Sequence, residues 1–249
     1  MNDWIYYGVA NGTGVAFIVV FLIICVKKFI NADYKDKLKP LKFLYVFLII
    51  LEVLKIFYHI YHYNGFDRGA FPLAFCSNVM YTYPIICHTK NDSMASRICK
   101  AISIIPSVVV GILYLFIFPN HGWGTFSFVM NFHSRLYHFC MLAGALYMII
   151  VKLYDFRFKD FYFSAVAVYS YFTFCTVLSL FIKADIAHFG PNSAQLGFLY
   201  KKVGYVVGNV ILCVVVFIIA ILIFYIINLI KKIIQNKKCK DNSLQYNKI

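Results

Sequence analysis

Apolar residues run through this chain in long blocks, without the short alternations of a soluble protein. Seven blocks can be read, over roughly 5–26, 41–63, 71–88, 98–118, 132–151, 161–182 and 204–230. At about 1.5 Å per residue each can reach across about 30 Å of hydrocarbon as a helix, the third only just. Phe, Tyr, Ile and Val favour strands in water, but apolar runs of this length read as spanning helices. The pattern predicts an all-α, polytopic membrane helix bundle of about seven transmembrane helices. It forms one transmembrane domain over residues 1–249 that ends in a basic tail at 231–249.

Composition agrees with that reading. Of 249 residues, 62% are apolar or aromatic and 14% charged, against about 25% charged in a soluble domain. The polar surface is too small to cover a water-soluble particle, so lipid must meet the rest. The first block has no basic residue before it and is followed at once by Lys27 and Lys28, which reads as a retained span and not a cleaved leader. The eight cysteines form no CxxC pair and fall mostly inside apolar runs, so a disulfide framework is not expected.

The net charge is +14, and its placement sets the topology. The odd-numbered connections and the tail carry 18 Lys and Arg, and the even-numbered connections carry 4. Basic residues gather on the cytosolic side of a bilayer, so the N-terminus is expected outside and the C-terminus in the cytosol. The same placement accounts for the charge without nucleic acid, leaving membrane lipids as the expected partners. The location expected is the cell (plasma) membrane, with several passes through it.

Orientation makes the polar residues inside the spans informative, because ionisable groups in lipid are costly and usually line an interior. Glu52, Lys55, His59 and His62 fall at offsets of 0, 3, 7 and 10 and share one helical face. The third block starts outside and reads Phe71-Pro72-Leu73-Ala74-Phe75-Cys76-Ser77-Asn78, which puts Cys76 about 9 Å below the outer surface if it is helical throughout. The fifth block also starts outside and carries Asn131, His133, Ser134, Arg135 and His138, with His138 at about the depth of Cys76. His121 and His188 lie in outer connections, so six of the seven histidines are expected on this side.

A thiol level with an imidazole permits a thiolate–imidazole pair, the way cysteine nucleophiles are activated. Arg135 suits a phosphate or carboxylate, or a developing oxyanion. Each residue also has a plainer role. Lone cysteines in spans are usually core residues, an arginine there is often an interfacial anchor, and Glu52 with Lys55 can simply pair while the histidines bond to neighbouring helices. A metal site from His59, His62 and either Glu52 or His138 matches no known ligand spacing. No metal and no cofactor are therefore expected. Pro119-Asn120-His121-Gly122-Trp123-Gly124 suits a lip over a cavity or an interfacial turn, and Asn11-Gly12-Thr13 matches a glycosylation sequon.

Two stretches carry a resemblance. Glu52 onward through Phe71-Pro72-Leu73-Ala74-Phe75-Cys76 resembles the LPLHLC motif of bacterial YwaF-type integral membrane proteins, in which a glutamate in the preceding span also comes first. His133 to Tyr147, with His138 and the Ala-Leu-Tyr-Met run, resembles that family's HFFLAHGLIILAALYM segment. The likeness covers about 53–151. The motif histidine is Ala74 here, and the glycine after the second histidine is Phe139. Eukaryotic relatives of this family look like transmembrane phospholipid acyltransferases that use a cysteine and a histidine. The resemblance implies Cys76 as the acyl-accepting nucleophile and His138 as the base. Glu52, His59, His62, His133 and Arg135 would support them or bind substrate. The function expected is a cysteine-dependent lipid acyltransferase or transacylase near the outer leaflet. The alternatives are a small-solute transporter and a structural membrane protein.

Overall fold

The computed structural model describes residues 3–63, 72–73, 75–116, 128–155, 157–182 and 197–208, with ten further positions between 210 and 229. Among them the regular elements are all helical. In chain order they are α1 (Asp3–Phe29), α2 (Tyr34–Lys37), α3 (Lys39–Tyr63), a 3-10 turn (Phe75–Ser77), α4 (Asn78–His88), α5 (Met94–Phe116), α6 (Phe128–Ile150), α7 (Phe158–Ile182) and α8 (Gly197–Val203). Three stretches are long and apolar enough by themselves to cross a membrane: Asn11–Phe29, Tyr34–His62 and Ala165–Ile182. Arg68, His121, His188, the 119–124 connection and the 231–249 tail lie outside the described residues.

The third block departs from a single spanning helix. Its α-helix begins only at Asn78 and has 11 residues, about 16 Å of rise. Pro72 is one reason, because it disfavours helical backbone in the residue before it. The other is that carbonyls ahead of the helix are taken by side chains from elsewhere. Tyr81 Oη donates to the Pro72 carbonyl at 2.9 Å, and Tyr171 of α7 donates to that of Leu73. Backbone acceptors satisfied in this way need no helical N–H. Cys76 therefore sits in the 3-10 turn at the mouth of α4, and a depth counted by helical rise from residue 71 does not apply to it.

Residues 1–209 form one compact unit and 210–249 a second. Within the first, α6 is the hub and packs against α5, α1 and α3. Tyr137, Cys140, Met141, Ala143, Ala145, Tyr147 and Met148 are all buried along it, as expected of a helix enclosed by others. On α3 the buried stripe runs Leu41, Leu44, Leu48, Glu52, His59, while Phe43, Val46, Val53, Leu54 and Phe57 are exposed. On α7 only Phe172, Cys175 and Ser179 are buried beyond the first turn, with Val166, Tyr169, Phe174, Val177 and Phe181 exposed. Such large apolar outer faces suit lipid and not water. In the second unit, Val210, Ile211, Val214, Val215, Ile218, Ile221, Leu222, Tyr225, Ile226 and Leu229 are helical and exposed.

The connections after α1, α4 and α6 meet at one end of the first unit. Lys37 Nζ donates to the Val151 carbonyl at 3.1 Å, and Tyr147 Oη to that of Lys37 at 2.9 Å. Arg97 Nε donates to Asp160 Oδ1 at 2.9 Å. Lys100 Nζ donates to Asn91 Oδ1 at 2.6 Å and lies 5.0 Å from the centre of the Tyr34 ring. The α6 terminus there closes with Lys152 in the left-handed region, φ 57°. Leu153 N donates to the Met148 carbonyl at 3.0 Å and Lys152 N to that of Ile149 at 3.2 Å. This is a Schellman closure with lysine where glycine is usual.

Candidate functional site

The polar stripe on α3 is turned inward for most of its length. Glu52 and His59 are 4% and 5% exposed, and Lys55 pairs with Glu52. His62 is exposed and stacks on Tyr58 at 5.3 Å between ring centres. Three of the four residues thus belong to one interior seam, and the stripe leaves the interior at its last member.

Cys76 is brought to that seam by the turn before α4. It is partly buried, packs against the main apolar core, and lies within electrostatic range of Glu52 and Lys55. From α6 the seam receives His133 and Tyr137, one helical turn apart and 5.9 Å between ring centres. His133 lies near Lys55 and His59, and its ring reaches the backbone of Leu51. Tyr137 is 2% exposed. It reaches Ser77 and feels both Glu52 and Cys76. The result is a ring of ionisable and hydroxyl groups (Glu52, Lys55, Cys76, Ser77, His133, Tyr137) enclosed by apolar helices.

His138 stands behind Tyr137, with 6.5 Å between their ring centres. It is 4% exposed, and its Nδ1 lies 2.6 Å from the Ser134 carbonyl. A carbonyl cannot donate, so Nδ1 carries the proton and a neutral ring keeps its basic lone pair on Nε2. Arg135 faces the other side of α6. It is buried and donates to Asn11 Oδ1 of α1, beside Gly14 and Phe139, which pack together one turn further in. The asparagine of the sequon is thus a partner of Arg135.

Tyr137 and Ser77 had not stood out as functional residues in the sequence. The signal for Tyr137 was its place four residues after His133 and one before His138. Among the described residues, no three His, Cys, Asp or Glu side chains gather closely enough to hold a metal ion.

Apolar helices whose ionisable groups turn inward define a helical membrane protein. The TMEM164 family model matches residues 6–227, and the chain belongs to the TMEM164 family. No curated protein and no solved structure matches the chain.

Proposed function

We propose that this membrane protein is a cysteine-dependent acyltransferase or transacylase acting on membrane lipids, with Cys76 as nucleophile and His138 as proton carrier. The observation that supports it best is the placement of a thiol beside an enclosed Glu52–Lys55 pair and the Tyr137 hydroxyl. Interior ionisable groups in a membrane protein are costly and are retained mainly for function. The Nδ1-protonated form of His138 supplies a base with its lone pair on Nε2.

The chemistry runs in two balanced halves. The Cys76 thiol gives its proton to the imidazole as sulfur attacks the ester carbonyl of a lipid. A C–S bond forms, the C–O bond breaks, and the leaving lysolipid alkoxide takes the proton. An acceptor hydroxyl then gives its proton to the imidazole and attacks the thioester. A new C–O bond forms, the C–S bond breaks, and sulfur recovers the proton. Glu52, Lys55, His59 and His133 shape the polar interior in which this occurs, and Arg135 holds α6 to α1. No cofactor is needed.

The accompanying topology is seven spans, with the N-terminus outside, the C-terminus in the cytosol, and residence in the cell membrane. The meeting of the three lysine-bearing connections at one end supports it.

The test is capture of an acyl-enzyme. The purified full chain, given vesicles of a phospholipid with a tagged acyl chain, is expected to acquire the tag as a hydroxylamine-labile thioester. Cys76→Ala removes the tag, and His138→Gln slows its appearance by about a hundredfold or more. Tagging that persists in Cys76→Ala overturns the proposal. Solute flux that survives Cys76→Ala, with no tagging in the parent, points to a transporter centred on Glu52 and Lys55.

A further inference from the structure

A second line of polar groups runs along the contact between α4 and α5, apart from the seam on α3. On α5 the side chains of Ser96, Lys100, Ser103 and Ser107 are all at most 1% exposed. Their spacings of four, three and four place them on one face. On α4, Asn78 and Thr82 are both 8% exposed and lie one turn apart. The two helices are joined by the short connection 89–93 and pack antiparallel.

The two faces meet at Thr82 Oγ1 and Ser103 Oγ, 2.6 Å apart. Each hydroxyl has a second acceptor on its own helix. Ser103 Oγ lies 2.7 Å from the Cys99 carbonyl, and Thr82 Oγ1 lies 3.0 Å from that of Asn78. Two hydroxyls hold only two protons, and three contacts compete for them. In one arrangement Thr82 donates to Ser103, which donates to Cys99. In the other Ser103 donates to Thr82, which donates to Asn78. Both satisfy every donor, and the second is the first with its direction reversed.

One turn further from the lysine-bearing end, Asn78 and Ser107 lie level with each other on the facing helices, because each is four residues beyond the bonded pair. Among the described residues the Oδ1 and Nδ2 of Asn78 and the Oγ of Ser107 have no hydrogen-bond partner. Buried polar groups left in this state bind water. Pro106 adds to this by leaving the Ile102 carbonyl without its helical N–H. Asn78 directly follows Ser77, which reaches Tyr137, and Tyr137 feels Glu52 and Cys76. Toward the other end, Lys100 lies one turn from Ser103 and is held by Asn91.

We infer that Thr82 and Ser103 form a reversible hydroxyl relay that carries protons between the Lys100 end of the bundle and the enclosed Glu52–Cys76 cluster, through water held by Asn78 and Ser107. In one passage Ser103 accepts a proton from the Lys100 side and passes its own to Thr82. Thr82 passes its own to the water beyond, and both hydroxyls then turn back. No charge is left behind. The inference needs only the cluster and does not rest on acyl transfer there.

The test places the full chain in liposomes in one orientation and steps the pH on one face at a time. Protonation of Glu52 is followed by its infrared carboxyl band, which Glu52→Gln identifies. The groups facing Glu52 are Lys55 on its own helix, Cys76 and Tyr81 from the turn and α4, and Tyr137 from α6. A step at the Lys100 face is expected to move the band. Thr82→Val is expected to slow that response by about tenfold or more, while Thr82→Ser keeps the parent rate. A band that answers only to the opposite face overturns the inference using the parent protein alone. So does a Thr82→Val protein that keeps the parent rate, or a Thr82→Ser protein slowed as much as Thr82→Val.

Discussion

The ring of Phe139 on α6 fills the notch that Gly14 leaves in α1, so a Cβ added at Gly14 would collide with it. In the bacterial segment that this part of the chain resembles, a glycine follows the second histidine. Here the bulk stands at that place and the gap is on the partner helix. Gly14→Ala should therefore destabilise the protein by about 1–3 kcal/mol, since an interior packed to crystal density has nowhere to put the extra methyl. Adding Phe139→Leu should recover part of the loss. Thermal unfolding in detergent reads both, and an unchanged midpoint for Gly14→Ala would show that the two helices do not meet there.

Arg97 and Asp160 tie α5 to the first turn of α7, and Tyr154 Oη donates to the same carboxylate at 3.2 Å. Removing the guanidinium strands a carboxylate that is mostly covered. Arg97→Ala should cost about 2–3 kcal/mol by the usual worth of a hydrogen bond to a charged group. Arg97→Lys should recover less than half of it, because an ammonium cannot make the forked contact. The hydrogen bond to Asp160 holds the Arg97 guanidinium above its ordinary value. A cation raised in this way contributes fully below its unfolded value and loses the contribution as pH climbs through the folded one. The gap between parent and Arg97→Ala midpoints should thus stay level from weakly acidic to weakly alkaline pH. A gap that closes on going from pH 7 to pH 9 would contradict this.

Lys152 adopts a backbone conformation that costs a residue with a Cβ about 1 kcal/mol. Lys152→Gly should raise the unfolding midpoint, with a gain of about 0.5–1 kcal/mol after the extra freedom of glycine in the unfolded chain is counted. Lys152→Ala should give no such gain, which separates backbone relief from loss of a charge.

Tyr137 and Arg135 are two residues apart and should fail in different ways. Arg135 turns to Asn11 on α1 and Tyr137 to the cluster around Cys76. Arg135→Ala should lower the unfolding midpoint by the equivalent of about 1.5–3 kcal/mol, with the folded fraction tagged at the parent rate. Tyr137→Phe should keep the midpoint within about 1 kcal/mol and slow tagging by about a hundredfold. Tyr137→Phe protein tagged at the parent rate would remove that hydroxyl from the proposed chemistry.

The sequence alone made α1, α3, α5, α6 and α7 legible, because each needs only a long apolar run and lipid or protein around it. It did not reveal the late start of α4. That depends on Tyr81 and Tyr171 reaching back to the carbonyls of Pro72 and Leu73, the second from 98 residues away. The inward face of α3 was legible from the spacing of Glu52, Lys55 and His59, while His62 followed the same spacing out of the interior. Tyr137 was hidden among 20 tyrosines, since a buried tyrosine differs from a lipid-facing one only in what surrounds it. Asn11 and Arg135 are 124 residues apart, and nothing local to either announces the other.

Polar stitches between the connections bind the lysine-bearing margin of the first unit: Lys37 to Val151, Tyr147 to Lys37, Arg97 to Asp160, and Lys100 to Asn91. Helices sewn along one hem swing most freely at the other. Breathing of this bundle is therefore greatest at the far edge, where Pro72 and Leu73 hang from single side chains. A lipid tail sliding in to meet Cys76 would part the helices there, and the sewn hem would act as the hinge that draws them shut behind it.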